Sequence, residues 1–200
     1  MTEQASHFPQ GQIVLITGNM ASGKSSVAQA LAERLPRSVH LRGDLFRRLI
    51  VNGRAEMGVE LSTEAELQLQ LRYSLAAEIA RRYAQAGFTV VYQDIIIGPT
   101  LSDIVGLLQP YQPFVVVLCP RPEVVAARDR ARAKTGYPDR AAVDAFDRVL
   151  RTETPRLGCW LDNSDLTLDE TVAHILAEMP EGTAKPAAPD DSETPRTRLP

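Results

Sequence analysis

Two sets of residues in this sequence have the types and spacing to handle a phosphoryl group. The first is contiguous: Gly18, Asn19, Met20, Ala21, Ser22, Gly23, Lys24, Ser25 and Ser26, read as "GNMASGKSS". Gly18, Gly23, Lys24 and Ser25 fit G-x-x-x-x-G-K-[ST]. Glycines let the backbone wrap closely around phosphate oxygens, and successive N–H groups form an anion nest. A helix starting there adds positive potential, Lys24 can neutralise β- and γ-phosphates, and the Ser25 hydroxyl can serve Mg²⁺. The second set is dispersed. Asp44 in "RGDLF" and Asp94 in "VVYQD" stand where apolar runs end, and Arg128 and Arg132 lie four apart, on one face of a helix. A carboxylate beside an incoming hydroxyl can orient it and accept its proton. Arginines on a closing helix can neutralise charge on a phosphoryl group in flight.

Each of the dispersed residues also has a plainer reading. Asp44 could cap the helix that follows it, with Arg47 in that helix facing the acceptor. Asp94 could hold Mg²⁺ through water, contact the acceptor, or be structural. Arg128 and Arg132 could form a solvated face paired with Glu123 and Asp129. Arg151 and Arg156 are candidates for the same cleft, while His7, His40 and His174 share no spacing and are read as non-catalytic.

These residues need elements to position them. Apolar runs at 12–17, 38–41, 88–94, 113–119 and 157–162 read as five strands, most of them nearly continuous, as in a parallel sheet covered on both faces. Between them, helices are expected at 25–35, 44–52, 64–86, 122–134, 140–153 and 169–179. For the long helix, Thr63 and Glu66 suggest a capping box and Gly87 a C-terminal stop, with Leu67, Leu71, Leu75, Ile79 and Tyr83 as the buried stripe. The alternation predicts an open α/β sheet with right-handed crossovers. Residues 1–11 are expected to be a flexible N-terminus, 12–179 the folded domain with a lid near 121–140, and 180–200, rich in proline and charge, a disordered tail.

Composition narrows the function. Of 200 residues, 44% are hydrophobic and the formal net charge is −3, so nothing in the balance suggests nucleic acid or a membrane surface. No apolar run reaches membrane-span length and the N-terminus lacks a signal peptide's apolar core, so a cytoplasmic location is expected. Cys119 and Cys159 read as reduced thiols rather than a disulfide or metal framework. A GTPase would need N-K-x-D, which is absent, and "DIVG" (103–106) falls inside a helical segment. Asp94 is followed by "III", with no adjacent acid to activate water. Transfer to an acceptor fits better than hydrolysis.

In this order, the phosphate loop, the "RGD" acid, the long helix, "VVYQDIIIGP" and the arginine helix resemble small kinases of the nucleoside-monophosphate-kinase-like group. The likeness is nearest to the chloramphenicol phosphotransferase-like family and covers about 12–178. The resemblance implies a three-layer fold: a five-stranded parallel sheet in the order 2-3-1-4-5, helices on both faces and a small helical lid. It implies ATP and Mg²⁺, Asp44 as base on the acceptor hydroxyl, Asp94 at the acid position ending the third strand, and Arg128 and Arg132 as lid arginines. "DNSD" (162–165) falls in the loop that lies near adenine in such kinases, while "VNGRAEMGVELS" (51–62) matches no chloramphenicol pattern. The expected activity is phosphoryl transfer from ATP to a small-molecule hydroxyl, by a monomer or homodimer. Two alternatives stay open. One is a polynucleotide 5′-hydroxyl kinase, kept in view by Arg42, Arg47, Arg48 and Arg54. The other is an ATP-dependent binding or regulatory protein.

Overall fold

The computed structural model describes residues 11–57, 61–132 and 136–180. Five strands form one parallel sheet: β1 (Ile13–Gly18), β2 (Ser38–Arg42), β3 (Thr89–Gln93), β4 (Phe114–Leu118) and β5 (Cys159–Leu161), in the order β2-β3-β1-β4-β5. This is the expected order, and the architecture matches the P-loop kinase fold. Every residue of β1 and β3 is buried, which is why those runs show no polar alternation. The edge strands β2 and β5 are half-buried instead.

Helices cover both faces. Against one lie α1 (Lys24–Arg34) and α7 (Leu168–Glu178), whose Val27, Leu31, Val172 and Ile175 pack on Val14, Ile16 and Val116. Against the other lie α3 (Thr63–Gln85) and α4 (Thr100–Leu107), packed on Leu15, Val90 and Tyr92. A short helix, α2 (Asp44–Arg48), follows β2 directly. It ends four residues before the predicted boundary. Helices α5 (Pro122–Arg130) and α6 (Arg140–Arg148) follow β4, and α6 runs into one π-helical turn, Val149–Glu153. Val125, Ala126, Tyr137 and Val143 between them pack with Met20 and Ala21, so this unit rests on the 18–26 loop.

The face that α3 buries differs from the expected one. Leu67, Leu71, Leu75, Ile79 and Tyr83 are 36–57% exposed, whereas Ala65, Tyr73, Ala76, Ala77, Ala80 and Ala84 are buried. Alanines lack bulk, so the helix axis can approach the sheet closely, and the larger side chains remain outside. Its N-cap is Ser62, whose hydroxyl accepts from the Ala65 N–H at 3.2 Å, in place of the predicted Thr63–Glu66 box. Gly87 does stop the helix: its φ is +82° and its N–H donates to Ala84 O.

The expected N-terminal arm and C-terminal tail lie outside the described residues, except for Gly11 and Pro180. His7, the stretch 58–60 of the acceptor region and 133–135 of the expected lid are also outside them. No described helix is long and apolar enough to cross a membrane. Cys119 and Cys159 are free thiols.

Candidate active site

The parallel order brings the carboxyl ends of β1, β3 and β2 to one edge of the sheet, where open α/β proteins place their ligands. A cleft of about 470 Å³ opens there. Met20, Ala21, Gly23, Lys24, Ser25 and Ser26 line it from the loop, and Arg128 and Arg132 line it from α5 and the turn after it. Asp44 and Asp94 line it from the ends of β2 and β3. Two separate sequence signals therefore meet in one place.

The loop side is built from backbone. Gly18 has φ +140°, and a Cβ there would collide with Leu118 O; Gly23 has φ +99°. Both positions need glycine. Gly23 caps α1 without any side-chain acceptor, so the first-turn N–H groups are left to an anion. Buried Lys24 donates to Asn19 O at 2.6 Å and lies 3.4 Å from Ser22 Oγ. Burial first, then the charges of Arg132 and Arg72, lowers its pKa to about 7. A site that holds an ammonium this poorly when empty is suited to a polyanion, whose charge would restore the proton. The side chain of Asn163, in the "DNSD" segment, donates to Ser22 O at 3.1 Å, and its backbone carbonyl accepts from Arg128 Nη2 at 2.9 Å. That segment thus abuts both the loop and the arginine helix. Arg128 Nη1 has no hydrogen-bond partner among the described residues.

The opposite side is built from side chains. Asp94 is buried against Arg72 of α3, a residue that sequence reasoning missed. Arg72 Nε donates to Asp94 Oδ2 at 2.8 Å, Arg72 Nη2 pairs with Oδ1, and the Ile95 N–H donates to Oδ1 at 2.7 Å. Both oxygens are thus engaged, Oδ2 by a single hydrogen bond. Gly43 of "RGD" is required by the same carboxylate, because a Cβ there would overlap Asp94 Oδ2. Asp44 does not cap α2; Gly43 occupies the N-cap with no side-chain acceptor. Its Oδ2 accepts from Arg48 at 2.6 Å, and Oδ1 lies 3.5 Å from Arg42 Nε without forming a hydrogen bond.

Several expectations need correction. Arg47 is not among the residues that line the cleft; it donates to Ala55 O at 2.7 Å and approaches Glu56 at 3.8 Å. Arg151 pairs with Asp147 and donates to Cys119 O, and Arg156 stacks on Trp160; neither lines the cleft. Glu123 pairs with Arg121 rather than the α5 arginines, while Asp129 is 3.8 Å from Arg132 and accepts the N–H groups of Gly136 and Tyr137.

Oxygens suited to Mg²⁺ are few but present. Ser25 Oγ lies 3.5 Å from Gln93 Oε1, a cleft residue also missed from sequence, with Asp94 next in the chain. No group of three or more His, Cys, Asp or Glu residues that could hold a metal occurs among the described residues. This donor set fits an ion that keeps several waters and is held mainly by substrate phosphates.

The sequence profile described as AAA domain (AAA_33) matches residues 13–155. Among curated proteins, none matches the chain. Solved structures resemble it at low identity. A sugar kinase from Janibacter sp. HTCC2649 is 19% identical with a TM-score of 0.66, covering 84% of this chain and 94% of that one. A gluconokinase from Sinorhizobium meliloti 1021 is 21% identical with a TM-score of 0.61, covering 86% and 93%. The APS kinase of Mycobacterium tuberculosis, in complex with AMPPNP and APS, is 17% identical with a TM-score of 0.58, covering 84% and 97%. At such identities the likeness speaks to fold.

Proposed function

Because this chain belongs to the AAA domain family AAA_33, has the P-loop kinase fold and sets a carboxylate across the cleft from its phosphate loop, we propose that it is an ATP-dependent O-phosphotransferase acting on a small-molecule hydroxyl. The observation that carries this reading is Asp44. It lines the cleft together with Lys24 and Ser25 and does not cap its helix; its Oδ1 is buried without a hydrogen bond, and its Oδ2 accepts from Arg48.

In this reading the loop amides and Lys24 hold the β- and γ-phosphates, with Gly18 and Asn19 shaping the loop behind them. Asp44 accepts the acceptor hydroxyl's proton as the new O–P bond forms and the bond to the ADP bridging oxygen breaks. Arg128 and Arg132, on a lid at about 121–140, neutralise the charge on the moving phosphoryl group. Ser25 and Gln93, with Asp94 through water, would hold Mg²⁺, which would neutralise charge on the nucleotide's phosphates. Arg72 positions Asp94. ATP as donor is supported by the AMPPNP complex of the APS kinase neighbour, and a small acceptor by the sugar kinase and gluconokinase. The resemblance to chloramphenicol phosphotransferases remains one candidate for the finer family.

The test is Mg²⁺-dependent ADP release with and without pools of sugars, sugar acids, nucleosides, hydroxyl antibiotics and 5′-hydroxyl oligonucleotides, with Lys24→Ala as blank. Stimulation by a small-molecule pool is expected. Stimulation by the oligonucleotides alone would favour the polynucleotide kinase reading. Tight ATP binding with no stimulation by any pool would favour a nucleotide-dependent binding protein.

A further inference from the structure

The phosphotransferase reading leaves the acceptor open, and the charge lining the cleft narrows it. Lys24, Arg42, Arg48, Arg72, Arg128 and Arg132 line the cleft against two carboxylates, Asp44 and Asp94. Cations thus exceed carboxylates by four. MgATP brings about two negative charges at neutral pH. A filled donor site therefore leaves a positive surplus, and its position is informative. Lys24, Arg128 and Arg132 adjoin the phosphate loop. Arg72 is committed to Asp94. Arg42 and Arg48 stand beside Asp44, with side chains 40% and 62% exposed.

Resting on the phosphotransferase reading, we infer that the acceptor is a small hydroxyl compound carrying its own anionic group, a carboxylate or a phosphate, which Arg48 and Arg42 receive beside Asp44. Two features support this. First, Arg42 and Arg48 both line the cleft with exposed side chains, and Arg42 approaches Asp44 only through its buried Nε, at 3.5 Å and without a hydrogen bond. Second, the ion pair between Arg48 and Asp44 opposes catalysis as it stands, because Arg48 Nη2 donates to Asp44 Oδ2 at 2.6 Å and so occupies the oxygen that an acceptor hydroxyl would have to reach. An anion seated on Arg48 draws that guanidinium away and frees Asp44 Oδ2 to take the hydroxyl proton. A neutral acceptor offers no such exchange. The acceptor's charge thus both binds it and releases the base.

The experiment compares matched acceptors at fixed ionic strength: glucose, gluconate and glucose 6-phosphate; glycerol, glycerate and glycerol 3-phosphate. A 5′-hydroxyl dinucleotide is run alongside. Gluconate or glycerate reports the carboxylate source, and the phosphate esters the other. The expected result is that at least one acid exceeds its neutral parent about ten- to hundredfold in kcat/KM, and that the margin shrinks in high salt. Arg48→Gln is expected to collapse that margin while leaving the KM for ATP unchanged, and Arg48→Lys to restore part of it. A residue that only positioned Asp44 would lower kcat for charged and neutral acceptors alike. Equal turnover of neutral and charged partners overturns the inference, as does turnover of the dinucleotide alone.

Should no acceptor turn over, binding decides. Inorganic phosphate titrated calorimetrically into protein loaded with Mg²⁺ and a non-hydrolysable ATP analogue is expected to bind wild type and to lose at least about tenfold in affinity with Arg48→Gln. Equal binding by both proteins, or none by wild type, overturns the inference. That arm separates failure of the anionic-acceptor idea from failure of the phosphotransferase reading, which rests on ADP release.

Discussion

The two halves of the cleft are made differently. The half proposed for the donor is one contiguous loop whose shape comes from backbone: two glycines at positive φ, a helix start without a side-chain cap, and one buried lysine. The half proposed for the acceptor is assembled from side chains of three places in the chain: Asp44 and Arg48 from α2, Arg72 from α3, and Gln93 and Asp94 at the end of β3. A backbone cradle suits a constant polyphosphate and tolerates most exchanges of the side chains around it. A side-chain cluster sets specificity, and single substitutions can rebuild it. Different responses are therefore expected from the two halves.

The largest separation is expected between Asp44→Asn and Lys24→Ala. Removing the base should cut acceptor-dependent turnover by about 10²–10⁴ with nucleotide affinity nearly unchanged. Removing the lysine should weaken nucleotide binding and turnover together. Steady-state kinetics beside calorimetric titration of an ATP analogue distinguish the two. Turnover surviving Asp44→Asn would break the division of labour.

Next in size is stability. Arg72→Met leaves Asp94 buried at 3% exposure without its counter-ion. A loss of about 3–5 kcal/mol is expected in denaturant unfolding, because an uncompensated buried charge is left behind. Ser26→Ala, exposed on the donor half, should change stability by no more than about 0.5 kcal/mol.

A pH series sharpens the donor side. With Lys24 lowered to about 7 in the empty site, it is protonated below that pH and neutral above it. Bound phosphates favour the ammonium. Nucleotide affinity should therefore be full below about pH 7 and fall as pH rises above it, by up to about tenfold per unit, with a proton taken up on binding. Titration calorimetry in buffers of different ionisation enthalpy checks the uptake. A flat profile through pH 9 would mean that Lys24 is charged before nucleotide arrives. The smallest effect is expected from Ser26→Ala on nucleotide affinity, within about twofold, since this half relies on amides rather than that hydroxyl.

The same contrast explains what the sequence could reveal. The phosphate loop was legible because its geometry is local: glycine spacing, lysine and hydroxyl all fall within nine residues of one another. The strands were legible because a sheet covered on both faces needs nearly continuous apolar runs, and their order followed from the resemblance. Asp44 and the pair Arg128 and Arg132 could be proposed because they sit where a strand ends or on one helical face, and all three line the cleft. The partner of Asp94 was hidden, since Arg72 lies 22 residues away on a helix whose orientation the sequence did not settle. That orientation was misread for a physical reason. Helix α3 carries two apolar stripes, one of leucines and one of alanines, and hydrophobicity alone favours the bulkier, whereas close packing on the sheet selects the smaller. Gln93 and Arg48 carry no local signal of function. The roles proposed for them depend on which strand ends become neighbours.

The central claim is that the cleft transfers phosphate to a hydroxyl activated by Asp44. It is tested most directly with ATP labelled in its γ-phosphoryl group, supplied with the acceptor that best stimulates ADP release. The account predicts label recovered in the acceptor with wild-type protein, and almost none there with Asp44→Asn despite intact nucleotide binding. Label appearing in inorganic phosphate at the same rate with or without acceptor would contradict it and identify a hydrolase.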